Sequence, residues 1–154
     1  MKKTGVTGLS VVIIAWATQM NLLLDTCSLL FLAEKILIDT KAQSELEIAS
    51  NNNSIFVSPV SAWEIGRLSA LRRIPMSMAP LRFFKTFATR PGVNLCELTL
   101  EIMVGSSYLP GRPHKDPIDR ALIETARHYD FTLVTRDRAI LAYGQQGHVK
   151  TLAC

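Results

Sequence analysis

Residues 117–137, PIDRALIETARHYDFTLVTRD, carry the pattern that decides the fold. Apolar residues recur at helical spacing through residues 117–129, and residues 131–135 (FTLVT) follow as a short apolar run. A helix that leads directly into a buried strand, itself followed by the acid Asp137, is typical of a parallel α/β sheet.

The same alternation of short apolar strands and helices continues outward from this stretch. Further strand candidates are residues 21–25, 54–58, 93–98 and, as a possible edge strand, 149–152. Further helix candidates are residues 29–35, 40–50, 61–71, 81–89, 99–109 and 137–143. We therefore predict an α/β three-layer sandwich with a mostly parallel central sheet flanked by helices.

Length and composition limit the classes of function. The chain has 154 residues, is 48% hydrophobic and 19% charged, and so fits one folded domain and excludes intrinsic disorder. Its net charge of +4 permits an anionic partner without requiring one. Cys27, Cys96 and Cys154 follow no metal-binding spacing, so we expect free, mostly buried thiols in a reducing compartment, the cytoplasm.

The start of the chain differs from the rest. Residues 1–19, MKKTGVTGLSVVIIAWATQ, resemble a short signal peptide and are too short for a comfortable membrane span. Met20 leads directly into the first predicted strand. We therefore expect a domain of residues 20–154, preceded by an extension that is either a start-site artefact or a signal-like segment.

Acidic residues follow several of the predicted strands. Asp25 closes the first strand, Glu64 follows the second, Asp116 and Asp119 begin the helix before the fourth, and Asp137 follows the fourth. The carboxyl ends of parallel strands meet at one edge of the sheet, so these acids should gather there. Their mutual repulsion would raise their pKa values, and a divalent cation such as Mg²⁺ or Mn²⁺ would relieve it.

A second interpretation places the same acids at helix starts. Ser61 and Glu64 fit a capping box, and Asp116 fits an N-cap before Pro117. Asp25, at the end of an apolar strand, is the hardest to explain in this way. Each acid taken singly fits either interpretation. Helix capping does not explain, however, why the acids should gather at one edge of one sheet.

Four blocks of the sequence resemble, in order and spacing, those of PIN-domain ribonucleases, in particular the VapC toxins of bacterial type II toxin–antitoxin pairs. The blocks are LLLDTCSLL, SPVSAWEIGRL, HKDPIDRALIETA and TLVTRDRAI, and the resemblance covers residues 20–154. It implies an endoribonuclease that depends on one or two Mg²⁺ or Mn²⁺ ions, cleaves RNA such as tRNA and so inhibits translation. It also implies a VapB-type antitoxin as partner, and homodimers are common in the family.

The resemblance assigns roles to individual residues. The catalytic, metal-binding acids fall on Asp25, Glu64, Asp119 and Asp137, with Asp116 as a fifth acid that caps its helix or supports the metal. Small hydroxyl residues that would support the acids are Thr26, Ser61 and Thr135. Residues that could contact RNA, or else pair with the acids, are Arg112, His114, Lys115, Arg120, Arg136 and Arg138. Among these we expect His114 to be a solvated loop residue.

Apolar side chains near the first two blocks are candidates for an antitoxin groove, although we expect each to be ordinary core. They are Leu29, Leu30, Phe31, Leu32 and Trp63.

Two other classes of function compete with the nuclease. A catalytically silent PIN-like module that binds RNA or a partner would keep the fold without cleavage. A phosphatase with Asp25 as nucleophile is disfavoured because Cys27 stands where a second aspartate is expected. A cysteine phosphatase at Cys27 would need an arginine where the sequence has Ala33.

Overall fold

The computed structural model, which describes residues 19–36 and 38–154, contains a five-stranded parallel sheet. The strands are β1 (Leu22–Leu24), β2 (Ile55–Val57), β3 (Val93–Leu95), β4 (Thr132–Thr135) and β5 (Lys150–Ala153). Their order is β3-β2-β1-β4-β5, and every neighbouring pair is parallel. Residues 1–18, nearly all of the predicted extension, lie outside the described residues.

Helices connect the strands. In the described ranges they are α1 (Thr26–Ala33), α2 (Thr40–Asn51), α3 (Pro59–Ala70), α4 (Pro80–Ala88), α5 (Leu100–Gly105), α6 (Pro117–Tyr129) and α7 (Arg138–Gln145). A 3₁₀ turn, Ser106–Tyr108, follows α5. Within these ranges no helix combines the length and the apolar character that crossing a bilayer requires.

The sheet is covered on both faces, which confirms the predicted three-layer α/β sandwich. Leu23 and Leu133 pack into one apolar cluster with residues of α6 and α7. Their strand neighbours Leu22, Leu24 and Val134 pack into a second cluster with residues of α1, α2 and α4. Because both faces are buried, β1 is apolar throughout and β4 is apolar between its two threonines, as the sequence indicated.

The strand order decides where the site lies. β1 and β4 are adjacent at the centre of the sheet, and the backbone N–H of Asp25 donates to the carbonyl of Val134 at 3.1 Å. β2 lies on the other side of β1. Because all three strands run in the same direction, the segments that follow them open at one edge of the sheet.

The cysteines agree only in part with the expectation of buried thiols. Cys96 is buried, Cys154 is half-buried and Cys27 is exposed, and all three are free. Cys27 is exposed because it lies on the first turn of α1, whose neighbouring residues Thr26 and Ser28 take the inward positions.

Candidate functional site

Asp25 is the N-cap of α1, although its place at the end of an apolar strand made capping hard to expect. Its Oδ1 accepts the backbone N–H of Ser28 at 2.7 Å, and the residue is buried. The physical reason is the absence of a loop. β1 ends at Leu24 and α1 begins at Thr26, so the residue between them must cap the helix.

Asp116 and Asp137 are N-caps as well. Asp116 Oδ1 accepts the N–H of Ile118 at 2.8 Å, and Asp137 Oδ1 accepts the N–H of Ile140 at 2.9 Å. Each cap occupies Oδ1, and a carboxylate carries a second oxygen with its own lone pairs. Helix capping and cation binding are therefore compatible, since the cap fixes the carboxylate and leaves Oδ2 for another partner.

Glu64 has no capping role, so the predicted capping box of Ser61 and Glu64 is wrong. Helix α3 begins at Pro59, and the Ser58 hydroxyl caps it by accepting the N–H of Val60 at 3.2 Å. The Ser58-Pro59 pair is the same N-cap and proline signal that marks the start of α6, and it was available in the sequence.

The surroundings of Glu64 indicate that it lies near the other acids. Burial raises the pKa of its carboxyl, and the negative charges of Asp116 and Asp25 raise it further. The nearby Thr26 hydroxyl partly opposes this rise. Arg67, one turn further along α3, also favours the charged form, and the sequence analysis did not include it in the site.

Asp119 is the most perturbed of the acids. Partial burial raises its pKa from 3.8 to about 6, and the charges of Asp116, Glu64 and Asp137 contribute to the rise, whereas His114 opposes it. Burial is the main cause of this rise, and the neighbouring carboxylates add to it because they lie near Asp119 in the folded chain. The acids that the sequence places on separate segments thus lie near one another at one edge of the sheet.

His114 lies between two of these acids, and the expectation of a solvated loop histidine is wrong. Its Nδ1 is 3.1 Å from Asp119 Oδ2, and its Nε2 is 3.5 Å from Asp137 Oδ2. The sequence feature that could have indicated this contact is the spacing of His114 to Asp116 and Asp119 in the HKDPID segment. The fold then brings Asp137 to the opposite edge of the same imidazole.

The Nδ1 atom of His114 has two competing partners. The backbone N–H of Asp116 donates to it at 3.0 Å. An imidazole nitrogen offers either one lone pair or one proton, so the N–H of Asp116 and the carboxylate of Asp119 compete for the same atom.

The imidazole also separates the carboxylates. Within residues 19–36 and 38–154, no three His, Cys, Asp or Glu side chains converge into a group that could hold a metal ion. Because the Oδ2 atoms of Asp119 and Asp137 contact different nitrogens of His114, the ring stands between them.

The three predicted hydroxyl residues are buried close to these acids. The Thr26 hydroxyl donates to Ser61 Oγ at 3.2 Å, beside Glu64. Thr135 Oγ1 accepts the backbone N–H of Asp137 at 3.0 Å. These bonds fix the backbone and helix faces that carry the carboxylates.

The basic residues around the acids fall into two groups. Arg120 is held by backbone carbonyls: Nε donates to Ser106 at 2.8 Å, Nη2 to Ser107 at 2.9 Å and Nη1 to His114 at 3.4 Å. Arg136 donates to the Cys154 carbonyl and lies over the Phe31 ring. The side chains of Arg112, Lys115 and Arg138 are exposed.

We expect Arg120→Ala to lower the free energy of unfolding by about 1–3 kcal/mol, because it removes several charge-assisted hydrogen bonds to carbonyls. Arg120→Lys should recover little of this loss, since a single ammonium cannot reproduce the guanidinium fork. Urea unfolding followed by circular dichroism measures the change. Lys115→Ala, at an exposed position of the same loop, is the control. An equal loss of stability in both variants would contradict a stabilising role for the hydrogen bonds from Arg120 to the carbonyls.

A second prediction concerns pH. Because the folded-state pKa of Asp119 is raised from 3.8 to about 6, the folded chain binds this proton more tightly than the unfolded chain does. In the absence of divalent cations, stability should therefore fall as pH rises from about 4 to about 6. Asp119→Asn should remove this fall and be the more stable protein above that range, by about 1–3 kcal/mol.

Urea unfolding of the two proteins in EDTA across this pH range provides the measurement. Asp130→Asn changes an exposed aspartate just after the other end of α6 and should keep the wild-type pH profile. If the free energy of unfolding depends on pH in the same way for wild type and Asp119→Asn, the pKa of the Asp119 carboxyl is not raised.

Cys27 is exposed beside the acids, yet its thiol is a poor nucleophile. Desolvation, followed by the negative charge of Asp25, raises its pKa to about 11. At neutral pH the sulfur is therefore a thiol, whereas a nucleophilic cysteine needs the thiolate.

The apolar residues near the first two blocks differ in burial. Leu29 is fully buried and belongs to the core, as expected. Leu30, Phe31 and Leu32 are half-buried, and Trp63 is 62% exposed. Trp63 is therefore a surface residue of α3, next to Glu64, and the expectation that it is core is wrong.

Comparison with solved structures gives the class of the fold. The chain has the PIN-like α/β fold, a parallel sheet with helices on both faces and acids at its carboxyl edge. It is similar to a chain of VapBC2 from Rickettsia felis, bound to a DNA fragment from their promoter. The TM-score is 0.62, with 14% sequence identity over 86% of this chain and 97% of that chain.

A second similar structure is DNA-bound VapBC from Salmonella typhimurium. The TM-score is 0.59, with 12% identity over 88% of this chain and 98% of that chain. The sequence matches no protein-family model, and no curated protein matches it. The predicted resemblance is thus confirmed for the fold.

Proposed function

We propose that this chain is a metal-dependent endoribonuclease and the toxin of a toxin–antitoxin pair, hydrolysing RNA phosphodiesters such as those of tRNA. The observation that carries the proposal is that Asp119 and Asp137, from separate segments, meet at the His114 ring at the carboxyl edge of the sheet, at 3.1 and 3.5 Å. The pKa of Asp119 is raised to about 6 by burial and by Asp116, Glu64 and Asp137, and the pKa of Glu64 is raised in the same way.

The chemistry of these residues fits a hard divalent cation. The proposed ligands are carboxylates, the donors that Mg²⁺ and Mn²⁺ prefer, and their mutual repulsion is what a cation would relieve. Asp25, Glu64, Asp119 and Asp137 would hold one or two ions, with Asp116 in a supporting position. A cation held there supplies Lewis-acid activation of water and of the phosphodiester.

The chain itself supplies orientation. The N-cap bonds of Asp25 and Asp137 fix one oxygen of each carboxylate, and the buried hydroxyls of Thr26, Ser61 and Thr135 brace the same segments. Carboxylates whose own orientation is already fixed lose little conformational freedom when a cation binds them.

Exposed cations near the acids suit an RNA substrate. Arg112 and Lys115 lie in the loop before Asp116, Arg138 directly follows Asp137, and all three side chains are exposed. We propose that they contact phosphates on either side of the cleaved bond, an interaction that should weaken with salt. Arg120 is proposed to shape the loop rather than to bind RNA, because its guanidinium is held by carbonyls.

The partner proposal rests on the fold likeness and on an exposed apolar surface. Both similar structures are VapBC complexes, and we propose a VapB-type antitoxin for this chain too. Trp63 and the half-buried residues of α1 are the proposed contacts, since a large exposed aromatic side chain beside the site is a favourable anchor. A homodimer is also proposed, without an assigned interface.

The test is cleavage of total tRNA by the full-length chain in Mg²⁺, in Mn²⁺ and in EDTA. Discrete fragments that appear with either cation and disappear in EDTA would support the ribonuclease. Folded protein that binds RNA in all three buffers and cleaves none would instead favour the catalytically silent binding module. Folded protein that neither binds nor cleaves tRNA would remove tRNA as the proposed substrate.

A further inference from the structure

The arrangement of His114 suggests a role that the resemblance does not assign. Both ring nitrogens face carboxylate oxygens, Nδ1 towards Asp119 at 3.1 Å and Nε2 towards Asp137 at 3.5 Å. The side chain is 21% exposed, so the ring is largely enclosed by its neighbours. An imidazole in this position occupies the space between two of the proposed cation ligands.

Backbone hydrogen bonds also hold His114 in place. The N–H of Asp116 donates to Nδ1 at 3.0 Å, and Arg120 Nη1 donates to the carbonyl of His114 at 3.4 Å. His114 is thus fixed by contacts on both sides, and its position between Asp119 and Asp137 follows from the loop geometry.

We propose that His114 is a positioning residue of the acidic site: its imidazole holds Asp119 and Asp137 in the cation-free protein, and a divalent cation that binds this pair moves the ring aside. The inference rests on the cation site of the proposed function. A cation then competes with the imidazole for the same oxygens, so the ring sets the concentration of Mg²⁺ at which the site fills. Apparent affinity falls with the fraction of protein in the competent arrangement.

The consequence is a gain of binding when the ring is removed. His114→Ala should bind Mg²⁺ with a dissociation constant about tenfold lower than wild type, if about a tenth of the wild-type molecules have the ring displaced. His114→Asn should behave like His114→Ala, because its amide can accept the N–H of Asp116 but is too short to bridge both acids. It also serves as the second variant if His114→Ala does not fold.

Isothermal titration of the full-length chain with MgCl₂, without RNA and at one neutral pH, measures the dissociation constants. His128→Ala, an exposed histidine on α6, is the matched control and should bind like wild type. In the wild type, the ¹⁵N resonances of the His114 ring, identified by their loss in His114→Asn, should shift as Mg²⁺ is added. Both ring nitrogens should shift together, because both lose carboxylate partners.

Equal or weaker Mg²⁺ binding by both His114 variants would overturn the inference, as would His114 ring signals that do not respond to Mg²⁺. The absence of Mg²⁺ binding by every protein would overturn it too. Because RNA cleavage is not measured, the outcome is separate from that of the proposed function. A chain that binds Mg²⁺ and displaces its ring would support the inference whatever the outcome of the separate tRNA cleavage assay.

Discussion

Asp119→Asn is expected to reduce Mg²⁺-dependent RNA cleavage by at least about 100-fold. Loss of a residue that only supports a metal ligand costs roughly 10–100-fold, and a proposed direct ligand should cost at least the upper end of that range. Asparagine keeps the size of the side chain and removes its charge. Initial cleavage rates of the full-length proteins on the same RNA provide the measurement.

Two features make this substitution informative. Without cations, Asp119→Asn should be more stable than wild type at neutral pH, because it removes a carboxylate whose ionisation the surroundings oppose. A loss of activity would therefore not result from unfolding. Asp130→Asn is the matched control: this exposed residue follows α6 at its other end, where it pairs with Lys150. Similar rates for Asp119→Asn and wild type would exclude Asp119 from the catalytic site.

Leu23→Ala is expected to lower the free energy of unfolding by about 3–5 kcal/mol, the largest effect on stability that we predict. Leu23 is fully buried in β1, the middle strand of the sheet, and packs against residues of α6. Truncation leaves a cavity between the sheet and this helix, which neither can fill without moving. The free energy of unfolding of a typical domain is about 5–15 kcal/mol, so the substitution would remove a large share of it.

Urea unfolding measures this effect, with Leu100→Ala as the control. Leu100 is 81% exposed on α5, so the same change in side chain should alter stability by no more than about 0.5 kcal/mol. At urea concentrations below the unfolding transition, where Leu23→Ala is still folded, its RNA cleavage rate should change proportionally less than its free energy of unfolding. Comparable destabilisation by the two substitutions would mean that Leu23 does not form part of a close-packed core.

The fold could be predicted from local pattern because strand and helix signals agree along the chain. A strand that is covered on both faces needs apolar residues at every position, and β1 has three leucines. The N-cap Asp116 and the proline Pro117 mark the start of α6. The same N-cap and proline signal at Ser58-Pro59 places the start of α3 at Pro59 rather than at the predicted Ser61.

The arrangement of the site could be predicted only in part. The positions of Asp25, Glu64 and Asp137 after strands indicated that carboxylates gather, because parallel strands share an edge. Whether an acid caps a helix or faces the site could not be decided, and the structure shows for Asp137 that both occur, through different oxygens.

The sequence by itself thus determined the parallel α/β fold and the set of acids at its edge, since apolar periodicity and strand-end positions are local properties of the chain. Only the tertiary structure decided the contacts between distant segments. It placed His114 between Asp119 and Asp137, held Arg120 on backbone carbonyls and left Trp63 at the surface. These outcomes depend on distances between side chains that the chain brings together only when it folds, and no local pattern encodes such distances.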